Sequence, residues 1–350
     1  MVQFQNRKMP SLVTVRLYIC LAVLFATLAW LEPLTGLILT PLAIALASVG
    51  ILSIPRLSYP KALLLALIVG AIPAGILYFL TRMFTFSVAA FAIAPAIALF
   101  VRTVRRRHSR SAGIHWIELV LTLFYAGAAI LFVWEWKGGF SAAVFKEIYA
   151  EAKAGFLAYF DQLPEQYASL IAESGISISD LFQELLCTLP GFIIAAIWTM
   201  AWLSTTCLRW IFNHYVYGAD RFANWPITMP KVLAWIFIIS FVGQALPTIK
   251  SLELVSIILG NLYYVLTPAF FLIGCQVIKN RLLLGCGCST YIVIALVFFI
   301  PVVFIVISLS GAFRTISPKP EIPFTPMMGP NGPQNPQDPE NPDDQGGASQ

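Results

Sequence analysis

Nine long apolar runs separated by short basic connections constrain this chain more than any other feature. A helix rises 1.5 Å per residue, so about 20 apolar residues cross a hydrocarbon core about 30 Å thick. On that ruler, spans fall near 11–31, 35–54, 62–81, 84–101, 115–134, 185–212, 231–249, 254–278 and 287–311. Hydrophobic residues make up 59% of the chain and charged ones 11%, too few charges to coat a soluble domain of this size. The expected fold is all-α, a polytopic transmembrane helix bundle of about nine spans. Pro41 and Pro95 interrupt the second and fourth runs. Each reads as a tilted or broken helix, and the span count ranges over roughly eight to ten.

Lys and Arg set the expected orientation, because short loops rich in them stay cytoplasmic. With the N terminus inside, fifteen basic residues fall on the cytoplasmic side, among them Arg56, Lys61, Arg102, Arg105, Arg106, Arg107, Arg110, Arg209 and Arg221. Seven remain outside: Arg82, Lys137, Lys146, Lys153, Lys250, Arg314 and Lys319. Trp30, Trp134 and Trp136 mark outer span ends, and Trp116, Trp210, Trp225 and Trp235 mark inner ones, as amphipathic indole rings at the headgroup level do. The first run is too long for a signal peptide and leads directly into a second span. The net charge of +5 follows from this bias and calls for no nucleic-acid partner; the bilayer itself is the expected partner.

Four segments follow: transmembrane helices over 1–137, an insertion at 138–183, further spans over 184–314, and a tail at 315–350. In the insertion, Phe145, Ile148, Tyr149, Ala152, Phe156, Tyr159 and Phe160 recur at helical spacing, which predicts an amphipathic helix near 141–162. A second short helix is expected over 165–173, and Asp180 with Gln183 resembles a capping box opening the sixth span. The aromatic stripe has four readings: packing on neighbouring spans, lying on the outer leaflet, covering the mouth of the helix bundle as a lid, or meeting a partner. The tail alternates Pro with Asn, Gln, Asp and Gly, and is expected to be disordered.

No hydrolytic, nucleotide-binding or dinucleotide motif occurs, so neither an enzyme nor a cofactor is expected. Cys286-Gly287-Cys288 is the one thiol cluster, but no third ligand accompanies it and no metal is expected. Polar groups inside spans carry more information, since each costs free energy in lipid. Asn261, Tyr264 and Gln244 are the first candidates for lining a solute pocket, followed by Glu118 with His115 at i−3 and Thr122 at i+4. The competing reading makes them hydrogen-bonded glue between helices. Small residues mark faces of the first and third spans: Ala22 and Ala26, then Ala62, Ala66, Gly70 and Ala74. Such stripes serve internal packing or docking onto another membrane subunit.

The order Arg221, Phe222, Asn224-Trp225-Pro226, Met229-Pro230, Leu233, Trp235, then Asn261-Leu262, Tyr264, Phe271 and Gly274 resembles the YybS-like predicted membrane proteins of bacteria. The resemblance extends over residues 10–315, with the distinctive residues between 220 and 280. It implies a multi-pass protein of the bacterial inner membrane, similar in outline to the substrate-binding S-components of energy-coupling-factor transporters. In those components Ala-x-x-x-Ala faces dock a coupling subunit, a use that Ala22, Ala26 and the Ala62–Ala74 stripe would match. The same broad superfamily is similar to MreD-like cell-shape proteins, which scaffold. Two functions are therefore expected as alternatives: a small-solute-binding component of a transport system, or a non-catalytic scaffold for envelope or division proteins.

Overall fold

In a computed structural model of the chain, residues 11–30, 33–54, 57–106, 108–162, 177–211, 227–246, 252–282 and 301–318 are described, and they form eleven helices with no strand among them. In order these are α1 (Leu12–Leu28), α2 (Pro33–Ser53), α3 (Tyr59–Thr81), α4 (Phe84–Phe91), α5 (Ile93–Arg105) and α6 (Arg110–Lys137). Then come α7 (Ala142–Asp161), α8 (Ile178–Ile211), α9 (Lys231–Ala245), α10 (Glu253–Leu282) and α11 (Pro301–Ile316). The expected short helix at 165–173, the Cys286–Cys288 pair, His214, the 221–226 stretch, much of the last run and the tail beyond Pro318 lie outside the described residues.

Six helical stretches are long and apolar enough to cross a membrane: Thr35–Ser53, Tyr59–Thr81, Phe84–Arg105 (α4 and α5 together), Arg110–Lys137, Ile178–Ile211 and Glu253–Ile278. Leu12–Leu28, Lys231–Ala245 and Val302–Ile316 are apolar but shorter. Polar ends explain where helices and apolar runs differ. The Ser109 side chain accepts from the Ala112 N–H at 3.2 Å and starts α6 at Arg110, ahead of the apolar run. Ser177 does the same for α8, its Oγ accepting from Ser179 N–H at 3.2 Å and its carbonyl from Leu181 N–H at 3.0 Å. Asp180, expected as the cap, sits inside the first turn instead, because the nearer hydroxyl already fills that place. α9 stops at Ala245, since Leu246 precedes Pro247 and is extended as the proline ring requires.

The two prolines behave differently. α2 runs unbroken through Pro41. The fourth run breaks at Ala92, three residues ahead of Pro95. Pro95 offers no N–H to the Phe91 carbonyl, and the chain tightens there through an Ala92 N–H bond to Ala89 O at 3.3 Å.

α2 is the central helix. From Thr40 to Ile51 it is buried nearly all round, against α1, α5 and α8, as an evenly apolar helix in a bundle interior should be. α3 is equally apolar but packs only along Ala62, Ala66, Val69, Gly70, Pro73, Ala74 and Leu77. Its other flank, including Leu64, Ile68, Ile72, Phe79 and Leu80, is exposed. An apolar helix with one packed face and one bare apolar face suits lipid contact. A second core joins α9, α10 and α11 through Ala234, Phe237, Leu266, Phe270, Ile273 and Ala312.

Helix ends gather at two poles. At one, the Arg105 Nη1 donates to Leu57 O at 2.7 Å, and Thr228 N–H donates to Ser111 Oγ at 2.8 Å. This basic pole collects the ends of α2, α5 and α8 and the starts of α3, α6 and α9. At the other pole Glu135 near the end of α6 caps α4, accepting from Phe84 N–H at 2.7 Å and from Thr85 N–H at 3.1 Å. Thr85 Oγ1 donates to the same carboxylate at 2.7 Å. The residue in the cap position, Met83, has no side chain able to cap, so a carboxylate from another helix meets the positive helix end. Glu135→Ala is expected to expose the Phe84 and Thr85 amides to solvent; faster hydrogen exchange confined to the start of α4 would show it, and unchanged exchange there would refute it.

Candidate functional site

Asn261, the first of the candidate pocket residues, has defined partners in α8 and α10. In α8, Pro190 brings no N–H to the helical ladder, and on either side of it lie the Cys187 carbonyl and the Gly191 N–H. The Asn261 carboxamide stands between them: Gly191 N–H donates to Oδ1 at 2.6 Å, and Nδ2 donates to Cys187 O at 2.8 Å. Nδ2 also donates to Ile257 O, one turn back in α10, at 2.9 Å. A side chain from α10 thus partners two backbone groups of α8 on either side of its proline. Gly191 permits it, since a Cβ there would lie 2.8 Å from Asn261 Oδ1 and 2.9 Å from its Cα.

Tyr264 stacks on Phe192, with ring centroids 4.2 Å apart, immediately beside this bridge. Its neighbour Tyr263 stacks on Phe237 of α9 at 5.6 Å. Gln244, half-buried near the end of α9, lies over Gly260, whose missing side chain leaves room for its Nε2. These three candidates therefore sit where α8, α9 and α10 meet, each against a neighbouring helix.

Glu118 lies at the basic pole. Its Oε2 is 3.1 Å from His115 Nδ1, with the carboxylate mostly covered at 18% exposure and the imidazole open at 42%. His115 borders a cleft of 560 Å³ lined also by Ser111, Thr228, Met229, Pro230 and Leu233. α6 supplies one wall, and the segment entering α9 supplies the other. Ser111 pins that segment by accepting from Thr228 N–H, and its hydroxyl lies 3.3 Å from Thr228 Oγ1. The imidazole and the carboxylate form a hydrogen-bonded pair, and the open ring borders the cleft.

The small-residue faces are filled from within the chain. Ala22, Ala26, Ala62 and Ala66 are all part of the main core, Ala74 packs with Leu77 and Ala90, and a Cβ on Gly70 would lie 2.5 Å from that of Ala94. Close helix approach is what these residues serve here.

Arg110 is a site residue that orientation counting alone did not single out. It is buried, its Nε donating to Thr205 Oγ1 at 3.0 Å and its Nη2 to Thr206 Oγ1. Both hydroxyls in turn donate to Trp202 O, at 2.8 and 2.9 Å. The consecutive threonines of α8 were the available signal, but two hydroxyls 95 residues away become partners only when α6 and α8 pack. Among the described residues no group of three His, Cys, Asp or Glu side chains is arranged to hold a metal ion.

What the fold defines is a class: an all-helical protein with several helices long and apolar enough to lie in a membrane. Comparison with protein-family models, curated proteins and solved structures gives no match.

Proposed function

We propose that this is a multi-pass membrane protein of about nine spans that binds a small solute at its basic pole as a component of a transport system. The observation carrying this reading is the His115–Glu118 pair on a spanning helix, with the imidazole opening on the Ser111–Thr228 cleft. An ionisable pair placed within such a helix is costly unless it faces a partner or a cavity. The cleft also has the mixed lining that solute sites share, apolar Met229, Pro230 and Leu233 with a few converging polar groups. The alternation of helix ends between the two poles supports the nine-span arrangement, and the cluster of arginines at one pole supports a cytoplasmic N terminus. The setting is a bacterial inner membrane, in keeping with the resemblance to YybS-like proteins.

On this reading His115 makes first contact with the solute and Glu118 positions its imidazole, while Tyr264 and Gln244 belong to the helix junction toward the other end of α9. Asn261 ties α10 to the backbone of α8 beside Pro190. A coupling subunit would dock on a face other than the Ala22–Ala26 and Ala62–Ala74 stripes, which the chain itself occupies. The scaffold alternative draws on the exposed aromatic face of α7.

The test is purification in mild detergent followed by mass spectrometry of retained metabolites. Wild-type protein is expected to carry one metabolite in fixed ratio. Glu118→Gln, which loses a charged hydrogen-bond acceptor, should reduce its retention roughly tenfold with little change in melting temperature. Equal retention by both proteins would remove Glu118 from the site, and recovery of no metabolite by either would remove the solute-binding reading.

A further inference from the structure

α7 carries an aromatic stripe and yet buries none of its residues. Part of the stripe is accounted for. Phe156 and Tyr149 meet Phe182 of α8 at 5.2 and 5.6 Å, and Lys153 Nζ donates to Ser179 Oγ at 2.9 Å. The remainder is not: Phe145 is 55% and Tyr159 63% exposed. Glu147 and Glu151 lie on the opposite side, where both bind Lys137 Nζ at 2.9 and 2.7 Å.

The surface next to it shows what covers this stripe. On α6, Leu119, Leu123, Ile130 and Trp134 are all exposed, and their spacing of 4, 7 and 4 residues puts them along one side of the helix. α6 is long and apolar enough to cross a membrane, and a bare apolar side on a helix that does so meets lipid. The side does not end at the turn. Trp134 lies 6.0 Å from Phe140, and Phe140 lies 6.1 Å from Phe145. One apolar surface therefore runs from the lipid-facing side of α6 onto α7. The length agrees, since Arg110 to Trp134 covers about 36 Å at 1.5 Å per residue. That places the turn just beyond a hydrocarbon core about 30 Å thick.

The turn is built to hold this course. Gly138 adopts the left-handed conformation at φ 74°, and its N–H closes on Trp134 O at 2.9 Å. Lys137 then binds both glutamates one turn apart on α7 and lies 4.2 Å over the Trp136 ring.

We infer that α7 lies in the headgroup layer of the leaflet opposite the basic pole, with Phe145 and Tyr159 in the acyl boundary and its acidic face in water. Its attachment rests on apolar and aromatic burial. Because Glu147, Glu151 and Asp161 balance Lys137, Lys146 and Lys153, the segment has no net positive charge for anionic lipid to attract. This inference does not depend on the solute-binding reading.

The test places the photo-crosslinker p-benzoylphenylalanine in the full chain in place of Phe145, Tyr159, Ile130 or Glu147. Each protein is irradiated in phosphatidylcholine vesicles, in the same vesicles with phosphatidylglycerol, and in native membranes. Lipid adducts at 145 and 159 should match those at 130 and exceed those at 147 roughly tenfold, the partition that burial of one aromatic side chain supports. Phosphatidylglycerol should not change them. Three results would overturn the inference: a protein adduct at 145 or 159 in native membranes, which would mark a partner-binding face; adducts at 145 no more frequent than at 147; or a yield that rises with anionic lipid. A single symmetric size-exclusion peak for each protein in mild detergent verifies that it is intact, and capture of lipid at 130 verifies the crosslinking itself.

Discussion

Gly311→Val is expected to separate α11 from α10 and to cost about 3 kcal/mol or more, the upper end of overpacking, because the neighbours are backbone atoms that cannot rotate away. A Cβ on Gly311 would collide with the Phe270 carbonyl oxygen and lie 2.8 Å from Gly274 N, and a Cβ on Gly274 would collide with the Ile307 carbonyl. The two glycines face each other across an antiparallel pair in which each helix presses its backbone into the other. Gly274→Val should therefore be as damaging. Gly127, in α6, has nothing within 4 Å of an added Cβ, and Gly127→Ala should be neutral or slightly stabilising through helix propensity. Thermal unfolding in detergent, followed by size-exclusion chromatography, reads all three. A Gly311→Val protein as stable as wild type would mean that α10 and α11 do not meet as described.

The second large effect concerns Asn261. Asn261→Leu removes the acceptor of the Gly191 N–H and the donor to the Cys187 carbonyl together. Leaving two part-buried backbone groups without partners beside a proline should cost about 2–4 kcal/mol. A double-mutant cycle separates this bridge from a general packing loss. Pro190→Ala restores an N–H to the α8 ladder and lets Gly191 close directly on Cys187, so it should return part of what Asn261→Leu loses. The expected coupling is about 1 kcal/mol or more, within the range seen for residues in one hydrogen-bond network. Strict additivity of the two substitutions would show that Asn261 does not stand in the α8 ladder.

Much of this fold was legible because its main determinant is local. Six of the apolar runs coincide with helices of spanning length and three with shorter apolar helices, the amphipathic period found α7 over Ala142–Asp161, and Pro95 marks a real break. Hydropathy sees only the apolar part of a helix, which is why Ser109 and Ser177 lengthened α6 and α8 beyond their runs. The roles of the polar residues were less legible. Asn261, Tyr264 and Gln244 were recognised as unusual in a span, yet the residues that explain Asn261 are Gly191 and Cys187, about 70 positions away. The role of Glu135 is not legible in the sequence, since a carboxylate near a helix end says nothing of the uncapped helix 51 residues before it that it serves.

By itself, then, the sequence determined which segments are helical and apolar, because backbone groups in a water-poor setting must pair within their own segment and the apolar runs are long enough for that. It also determined where the charges cluster. Only the tertiary structure decided which apolar faces pack and which stay bare. α2 and α3 are alike in composition, yet one is central and the other half exposed. Likewise the structure alone turned Asn261 into a backbone bridge and brought His115, Glu118, Ser111 and Thr228 around one cleft. Those outcomes depend on distances between helices far apart in the chain, set by small residues such as Gly274 and Gly311 that let two backbones come close, and no local pattern encodes them.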